Sequence, residues 1–223
     1  MIRNIIFDYG SVLIRTDCRR VYTEVLGSWE KADWFRTNII TPEWVHRLDM
    51  GEDYATCIKD LQAQHPDYAD AIALWDSRFT DFLVGEMPGM RKVLVRLRID
   101  GYHLYGLSNY SHKIYDIQKM VTIFHNLEGQ IISSDIHITK PDFRIFKLLL
   151  AKYNLNPEEC LFIDDRTVNT DAARQLGIST MTFPEVPFTQ KQILEGFTKE
   201  YSDNTIPPQI ASFEKTLERN LYV

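Results

Sequence analysis

The chain alternates short apolar runs with helical patterns, and the first of these runs stops abruptly at an acidic residue. Ile5, Ile6 and Phe7 are followed by Asp8, which is how a strand buried on both faces of a sheet ends. Further short runs, separated by helical patterns, cover residues 102–107, 130–132, 159–163 and 179–183. Five strands that alternate with helices predict an α/β fold, a doubly wound parallel sheet with right-handed crossovers.

The segment 19–82 differs from the rest of the chain. A loop is expected from Gly10, and then apolar residues recur at helical spacing with no strand-like run, which predicts about four helices. Pro42 and Pro66 separate these helices, because proline is accepted in a first turn and rejected inside a helix. We therefore predict an α/β core over 1–18 and 83–183, an inserted helical cap over 19–82, and a C-terminal extension over 184–223 packed on or near the core.

Composition excludes several classes of protein. The 223 residues carry a formal net charge of -6, which offers no basic surface for nucleic acid. The three cysteines form no C-x-x-C pair, so a reducing compartment is expected. No apolar stretch reaches the length of a membrane span or of a signal-peptide core. These features predict a cytoplasmic monomer or homodimer with no membrane or nucleic-acid partner.

Polar residues follow several of the predicted strands. Because the carboxyl ends of parallel strands share one edge of a sheet, and ligands bind there, we expect these residues to lie together: Asp8, Ser108, Asn109, Asp164 and Asp165. Lys140, in the loop after the third strand, can join them. Crowded carboxylates repel unless a divalent cation neutralises them, and Mg²⁺ prefers such oxygens. A bound phosphate would complete the coordination of that ion.

Each of these residues also has an ordinary structural interpretation. Asp8 suits a turn, and Ser108 and Asn109 suit the cap of a following helix, as do Asp164 and Asp165. Lys140 suits a solvated position before Pro141, which is expected to open a helix. Their occurrence together, each at or beyond the end of its own strand, favours a functional site. The six histidines show no metal-ligand spacing.

Four segments carry a resemblance to a known family. The sequences IIFDYGSVL, GLSNY, TKPDFRIF and FIDDRTVNTDAARQLGI resemble, in this order, the four motifs of the haloacid dehalogenase-like hydrolase superfamily. The resemblance covers residues 1–183 and places the insertion 19–82 where that family has its helical cap.

The resemblance implies a role for each motif residue. Asp8 would be the nucleophile that forms an aspartyl-phosphate, Ser108 and Asn109 would hold the phosphoryl oxygens, and Lys140 would neutralise charge on nucleophile and phosphate. A Mg²⁺ site would combine Asp8, the backbone carbonyl of Gly10, and the pair Asp164 and Asp165, with Asp165 the expected direct ligand. The implied activity is hydrolysis of a small phosphate monoester from a phosphorylated metabolite, expected to be a sugar phosphate.

One motif position departs from the family pattern. Phosphatases of the superfamily usually have a second aspartate two positions after the nucleophile, and here that position is Gly10. The DYGSV segment resembles the subgroup of bacterial α-glucose-1-phosphate phosphatases, which also carry glycine there. General acid catalysis matters most for basic leaving groups, so sugar 1-phosphates and aryl phosphates are expected to be better substrates than sugar 6-phosphates.

Two other functions stay open at the level of sequence. A 2-haloacid dehalogenase would use the same aspartate and would need no metal, whereas the acidic pair after the fourth strand favours one. A non-catalytic ligand-binding relative would explain the glycine at position 10. In an enzyme, the cap is expected to supply side chains to the leaving group, with Trp44, His46, Arg47 and Tyr54 as candidates.

Overall fold

A five-stranded parallel sheet forms the centre of the protein, in a computed structural model that describes residues 1–197 and 206–221. Its strand order is β5-β4-β1-β6-β7, and every neighbouring pair is parallel. The strands are β1 (Asn4–Phe7), β4 (His103–Ser108), β5 (Gly129–Ile132), β6 (Cys160–Asp164) and β7 (Ser179–Thr182). This arrangement confirms the predicted fold class.

Helices cover both faces of this sheet. Alternate residues of β1 point to opposite sides, and because Ile5, Ile6 and Phe7 are all apolar, both sides must be buried. Ile5 and Phe7 belong to one apolar cluster and Ile6 to the other. The first cluster includes residues of α6 (Met90–Ile99) and α7 (Ile114–Met120), and the second includes residues of α9 (Phe143–Tyr153) and α10 (Thr167–Arg174). The short α8 (Ser133–Ile136) follows β5 directly.

The start of α9 corrects one prediction. Pro141 was expected to open this helix, but the helix begins at Phe143, and the Asp142 side chain caps it by accepting from the Arg144 backbone N–H. Pro141 lies before the capping residue, because an aspartate at the N-cap satisfies a free backbone N–H of the first turn.

Five α-helices, rather than about four, lie between β1 and the rest of the sheet. The additional break follows from Gly27, whose φ of 83° ends the first helix, and from Ser28, which caps the second by accepting from the Lys31 backbone N–H. The helices are α1 (Arg19–Leu26), α2 (Trp29–Asn38), α3 (Pro42–Asp49), α4 (Tyr54–Gln64) and α5 (Ala69–Ser77). Short 3₁₀ turns cover Pro66–Tyr68, Phe79–Phe82, Ile123–Asn126 and Pro157–Glu159.

A small antiparallel pair flanks this helical segment. The strands β2 (Ile14–Thr16) and β3 (Leu83–Glu86) pair with each other, although a loop was expected after Gly10. Both strands are only three to four residues long, too short for an alternating pattern to be recognised. The Asp17 backbone N–H donates to the Phe82 carbonyl at 2.8 Å, so the chain enters and leaves the helical segment at one place.

The C-terminal segment contains α11 (Gln190–Glu195) and α12 (Pro208–Leu221). Ile193 is buried, Ile210 and Phe213 belong to the first apolar cluster, and the rings of Phe183 and Phe213 are 4.7 Å apart. The predicted extension 184–223 falls partly on 198–205 and 222–223, which lie outside the described residues. No helix of the described chain is long and apolar enough to cross a membrane. The three cysteines are buried and unpaired.

Candidate active site

The carboxyl ends of three neighbouring strands bring the motif residues together. Asp8 follows β1, Ser108 ends β4 and Asp164 ends β6, and β1 lies between the other two strands. The Ser108 hydroxyl donates to Asp8 Oδ1 at 2.8 Å. The predicted meeting of residues far apart in sequence is therefore present in the structure.

Lys140 joins two of these residues. Its Nζ lies 2.8 Å from Asp8 Oδ1 and 2.6 Å from Asp164 Oδ2, and it donates to the Leu107 carbonyl at 2.8 Å. Only 3% of the lysine is exposed. Burial by itself would lower the pKa of Lys140, but the two carboxylates raise it above its ordinary value. The side chain is thus a fixed positive charge beneath the acidic cluster.

Asn109 fixes the backbone of Lys140. The asparagine Nδ2 donates to the Lys140 carbonyl at 2.8 Å, and its Oδ1 accepts from the Lys140 backbone N–H at 2.7 Å. These two bonds join the loop after β4 to the loop that carries the lysine. Asn109 also lines the adjacent cavity.

Asp8 is a buried carboxylate whose proton affinity is raised. Burial, followed by the neighbouring charges of Asp164 and Asp165, raises the pKa of Asp8 to about 6, although Lys140 opposes the shift. A bound cation would offset the negative charge of these carboxylates and would favour the ionised form of Asp8. The site is therefore suited to a partner with positive charge.

Three carboxylates at this edge can hold a metal ion. One oxygen from each of Asp8, Asp164 and Asp165 lies within 4.8 Å of the others. Asp164 is fully buried, and it accepts from Lys140, the Arg166 backbone N–H and the Asn169 side chain. Asp165 instead lines the cavity, and burial together with Asp164 raises its pKa. The donor set consists of hard oxygens, which is the chemistry that Mg²⁺ prefers.

A second observation fits an ion or its bound water at this place. Asn169 Oδ1 is buried and has no hydrogen-bond partner among the described residues, although its Nδ2 holds Asp164. A buried acceptor without a donor is rare in a folded protein. A water on a bound cation would satisfy it.

A cavity of about 660 Å³ lies over this edge, between the sheet and the helices α1 to α5. Gly10, Lys140 and Asp165 line it from the sheet side, and residues of α2 to α5 line it from the other. This volume lies within the range of small-molecule sites. The inserted helices α1 to α5, called the cap below, therefore line the side of the cavity opposite the sheet.

Two of the four expected cap residues lie on the cavity. His46 and Tyr54 line it, and the Tyr54 hydroxyl is 2.8 Å from Ser111 Oγ. Trp44 and Arg47 were expected there and are not among the lining residues. The indole of Trp44 packs on Trp75 at 5.4 Å and donates to the Cys57 carbonyl.

Arg47 pairs with Glu52 and Asp60, each at 2.8 Å. Several polar residues that line the cavity were not predicted from the sequence, among them Arg15, Asp49 and Asn169. Asn169 lies five positions after Asp164, which places it in the first turn of the helix that follows β6. Asp49 ends a helix just before Gly51, and no motif indicates it.

Comparison with known proteins places the chain in a family. The model of the haloacid dehalogenase-like hydrolase family matches residues 2–177 of this chain. A glyceraldehyde 3-phosphate phosphatase from Pyrococcus furiosus is 30% identical over 154 residues, which are 68% of this chain and 61% of that protein. The chain therefore matches less than two thirds of the length of this relative.

Solved structures share the fold at lower identity. An enzyme from Bacteroides thetaiotaomicron in complex with magnesium and inorganic phosphate is 23% identical, with a TM-score of 0.63 over 86% of this chain and 99% of that one. An L-2-haloacid dehalogenase from Xanthobacter autotrophicus is 17% identical, with a TM-score of 0.61 over 97% and 88% of the two chains. On the extent of the family match, with the expected motifs gathered at one sheet edge, this chain belongs to the haloacid dehalogenase-like hydrolases.

Proposed function

We propose that the chain is a Mg²⁺-dependent phosphatase of small phosphate monoesters, with a sugar phosphate as substrate, which acts through an aspartyl-phosphate on Asp8. The observation that carries the proposal is the position of the Asp8 carboxylate. It lies between Ser108 and Lys140 at the floor of a cavity, beside two more carboxylates. The similarity to a glyceraldehyde 3-phosphate phosphatase, itself acting on a small phosphorylated compound, supports this substrate class.

In this proposal each side chain acts on the phosphoryl group. Asp8 attacks phosphorus, and a bond from its carboxylate oxygen forms as the bond to the leaving oxygen breaks. Lys140 and the Ser108 hydroxyl stabilise negative charge on the phosphoryl oxygens. Asn109 binds a phosphoryl oxygen as well, and its two bonds to the Lys140 backbone position the lysine.

The metal would be held by Asp8, Asp165 and the Gly10 carbonyl, with Asp164 beside them. When bound, Mg²⁺ supplies positive charge that neutralises the phosphoryl oxygens. Asp164 already accepts from Lys140 and Asn169, so it contributes mainly by holding these two residues and by its charge. This division between the two adjacent aspartates agrees with the expectation that Asp165 is the direct ligand.

The first experiment is a screen of phosphorylated metabolites with Mg²⁺ and with EDTA, together with Asp8→Asn. We expect hydrolysis that needs Mg²⁺ in the wild type, and a loss of several orders of magnitude in the variant, because an amide cannot form the intermediate. Asp67→Asn, an exposed substitution in the cap, is the control for folding and purity. A 2-haloacid substrate is included: metal-independent release of halide would instead establish a dehalogenase.

The second experiment tests the metal site. Asp165→Ala removes an anionic ligand, so the Mg²⁺ concentration that gives half-maximal activity should rise by at least about 10-fold. Asp171→Ala, an exposed change on the following helix, should leave that concentration unchanged. If both variants respond to Mg²⁺ like the wild type, the metal site lies elsewhere.

A further inference from the structure

The proposed reaction needs a group that carries a proton, and the residue two positions after the nucleophile, Gly10, provides none. Gly10 has no side chain, and a Cβ built on it meets no atom within 4 Å. The space beside Asp8 is therefore open toward the cavity. The leaving oxygen must still gain a proton, and the attacking water must still lose one.

Few side chains on the cavity can carry that proton. The carboxyl groups that line it are Asp8, Asp17, Asp49 and Asp165. Asp8 is the proposed nucleophile and Asp165 the proposed metal ligand. Asp17 is held by Arg19 at 2.6 Å and by Arg15 at 3.4 Å; burial opposes these arginines, but the net effect lowers its pKa. Asp49 is the remaining carboxyl.

Asp49 is held over the site by contacts between α3 of the cap and α8 of the core. It is the last residue of α3, and its backbone carbonyl accepts from the Ser133 hydroxyl at 2.6 Å. The next carbonyl, of Met50, lies 2.7 Å from His137 Nδ1. Gly51 then packs so closely that an added Cβ would lie 2.4 Å from the Ser134 carbonyl. The end of α3 is thus seated on α8.

The surroundings of Asp49 suit exchange of a proton near neutral pH. Burial, together with the charge of Asp8, raises the pKa of Asp49 to about 7, while Lys140 and the Ser111 backbone N–H oppose the shift. Tyr54 and Tyr110 lie near this carboxyl. Burial raises the pKa of each hydroxyl, and the charge of Asp49 raises it further. A carboxyl of this kind holds a proton at the start of a reaction and can release it.

We propose that Asp49 is the general acid and base of this enzyme, supplied by the cap in place of a carboxyl at position 10. The inference rests on the phosphatase proposed above. In the first step the Asp8 oxygen bonds to phosphorus, the phosphorus–oxygen bond of the ester breaks, and the Asp49 proton passes to the leaving oxygen. In the second, water bonds to phosphorus, its proton passes to Asp49, and the bond to Asp8 breaks to release inorganic phosphate.

This assignment changes the expectation drawn from Gly10 alone. With an acid supplied by the cap, the wild type should tolerate basic leaving groups, and the dependence of kcat/KM on leaving-group acidity should be shallow. Asp49→Asn should make it steep. The asparagine keeps the backbone bond to Ser133 and the size of the side chain, so the loss is confined to the proton.

The test compares an alkyl phosphate with 4-nitrophenyl phosphate under saturating Mg²⁺. Asp49→Asn should lower kcat/KM for the alkyl ester by about 10²–10⁴-fold and for the aryl ester by less than about 10-fold. With the aryl ester, rapid mixing should show a burst of one nitrophenolate per enzyme followed by slow turnover, since hydrolysis of the phosphoenzyme lacks its base. Asp67→Asn, in the same cap, should behave as the wild type.

A second variant distinguishes loss of the proton donor from loss of activity through a change in structure. Gly10→Asp combined with Asp49→Asn puts a carboxyl into the open space at position 10, and it should restore part of the activity on the alkyl ester. Equal losses on both esters, with no burst and no restoration, would assign Asp49 a structural role and overturn the inference. In that case wild-type turnover, abolished by Asp8→Asn, would leave the phosphatase itself established. Unchanged kinetics in Asp49→Asn would point to His46, the other titratable side chain of α3 on the cavity.

Discussion

The two sides of the cavity are built in different ways. On the sheet side, Asp8, Ser108 and Lys140 are joined to one another by short hydrogen bonds and are almost fully buried. On the cap side, His46 is exposed, Asp49 is partly exposed, and the contacts that hold α3 on α8 pass mainly through backbone carbonyls. In the proposed reaction, phosphoryl transfer would therefore rest on a rigid network, whereas selectivity and proton transfer would depend on the position of one helix, α3.

The largest expected effect is the loss of stability and activity when the network on the sheet side is disrupted. Lys140→Met leaves Asp8 and Asp164 facing each other without their shared cation, so the free energy of unfolding in EDTA should fall by about 3–5 kcal/mol, and activity should be lost. Lys147→Met, at an exposed position of α9, should change stability by less than about 0.5 kcal/mol. Chemical denaturation of both variants measures the difference, and a loss below about 1 kcal/mol for Lys140→Met would contradict the rigid network.

A smaller effect is expected where the cap meets the sheet. Gly51 and Gly27 have φ of 79° and 83°, but only at Gly51 does an added Cβ collide, with the Ser134 carbonyl. Alanine should cost about 1–2 kcal/mol at Gly27 through the left-handed backbone, and more at Gly51, where the collision adds to that cost. Gly51→Ala should in addition lower kcat/KM about 10-fold or more, because it displaces the end of α3.

Gly27→Ala serves as the matched control for that substitution, since it carries the same backbone strain and lies away from the cavity. Stability is measured by thermal unfolding and kcat/KM with one phosphate ester. Equal kcat/KM in the two variants would show that the seating of α3 does not matter for catalysis.

The smallest effect concerns selectivity. His46 is exposed and lines the cavity from the cap, so His46→Ala should change the ratio of kcat/KM between a sugar phosphate and phenyl phosphate a few-fold, with little effect on stability. His65→Ala, at the end of α4 and outside the lining, should leave the ratio unchanged. A fall in kcat/KM by the same factor for both esters would assign His46 a role in the chemistry common to all substrates.

The same contrast explains what could be predicted from the sequence. The end of a parallel strand fixes where a residue lies, so Asp8, Ser108 and Asp164 could be placed at one edge from their positions after apolar runs. The fold class followed from the alternation of strands and helices. The choice of Asp165 over Asp164 as the direct metal ligand stays a prediction.

Positions in the cap could not be derived in this way. Helical spacing shows which residues share a face but not what that face meets, so Trp44 was expected on the cavity and instead packs on Trp75. Asp49 carries no motif, and its proximity to Asp8 depends on the contact of α3 with α8, between segments about eighty residues apart. The pair β2 and β3 was missed because its strands are only three and four residues long.

The antiparallel pair at the base of the cap has a consequence for how such a protein can change over time. Because the chain leaves the sheet at Asp17 and returns at Phe82, with one hydrogen bond of 2.8 Å between the two backbones, whatever lies between needs only termini that meet. An insert of another length or sequence can occupy the same position in the chain without altering the order of the strands. Under the proposed function, replacing this one contiguous segment would therefore change which substrates are accepted and would leave the proposed phosphoryl-transfer residues Asp8, Ser108 and Lys140 in place.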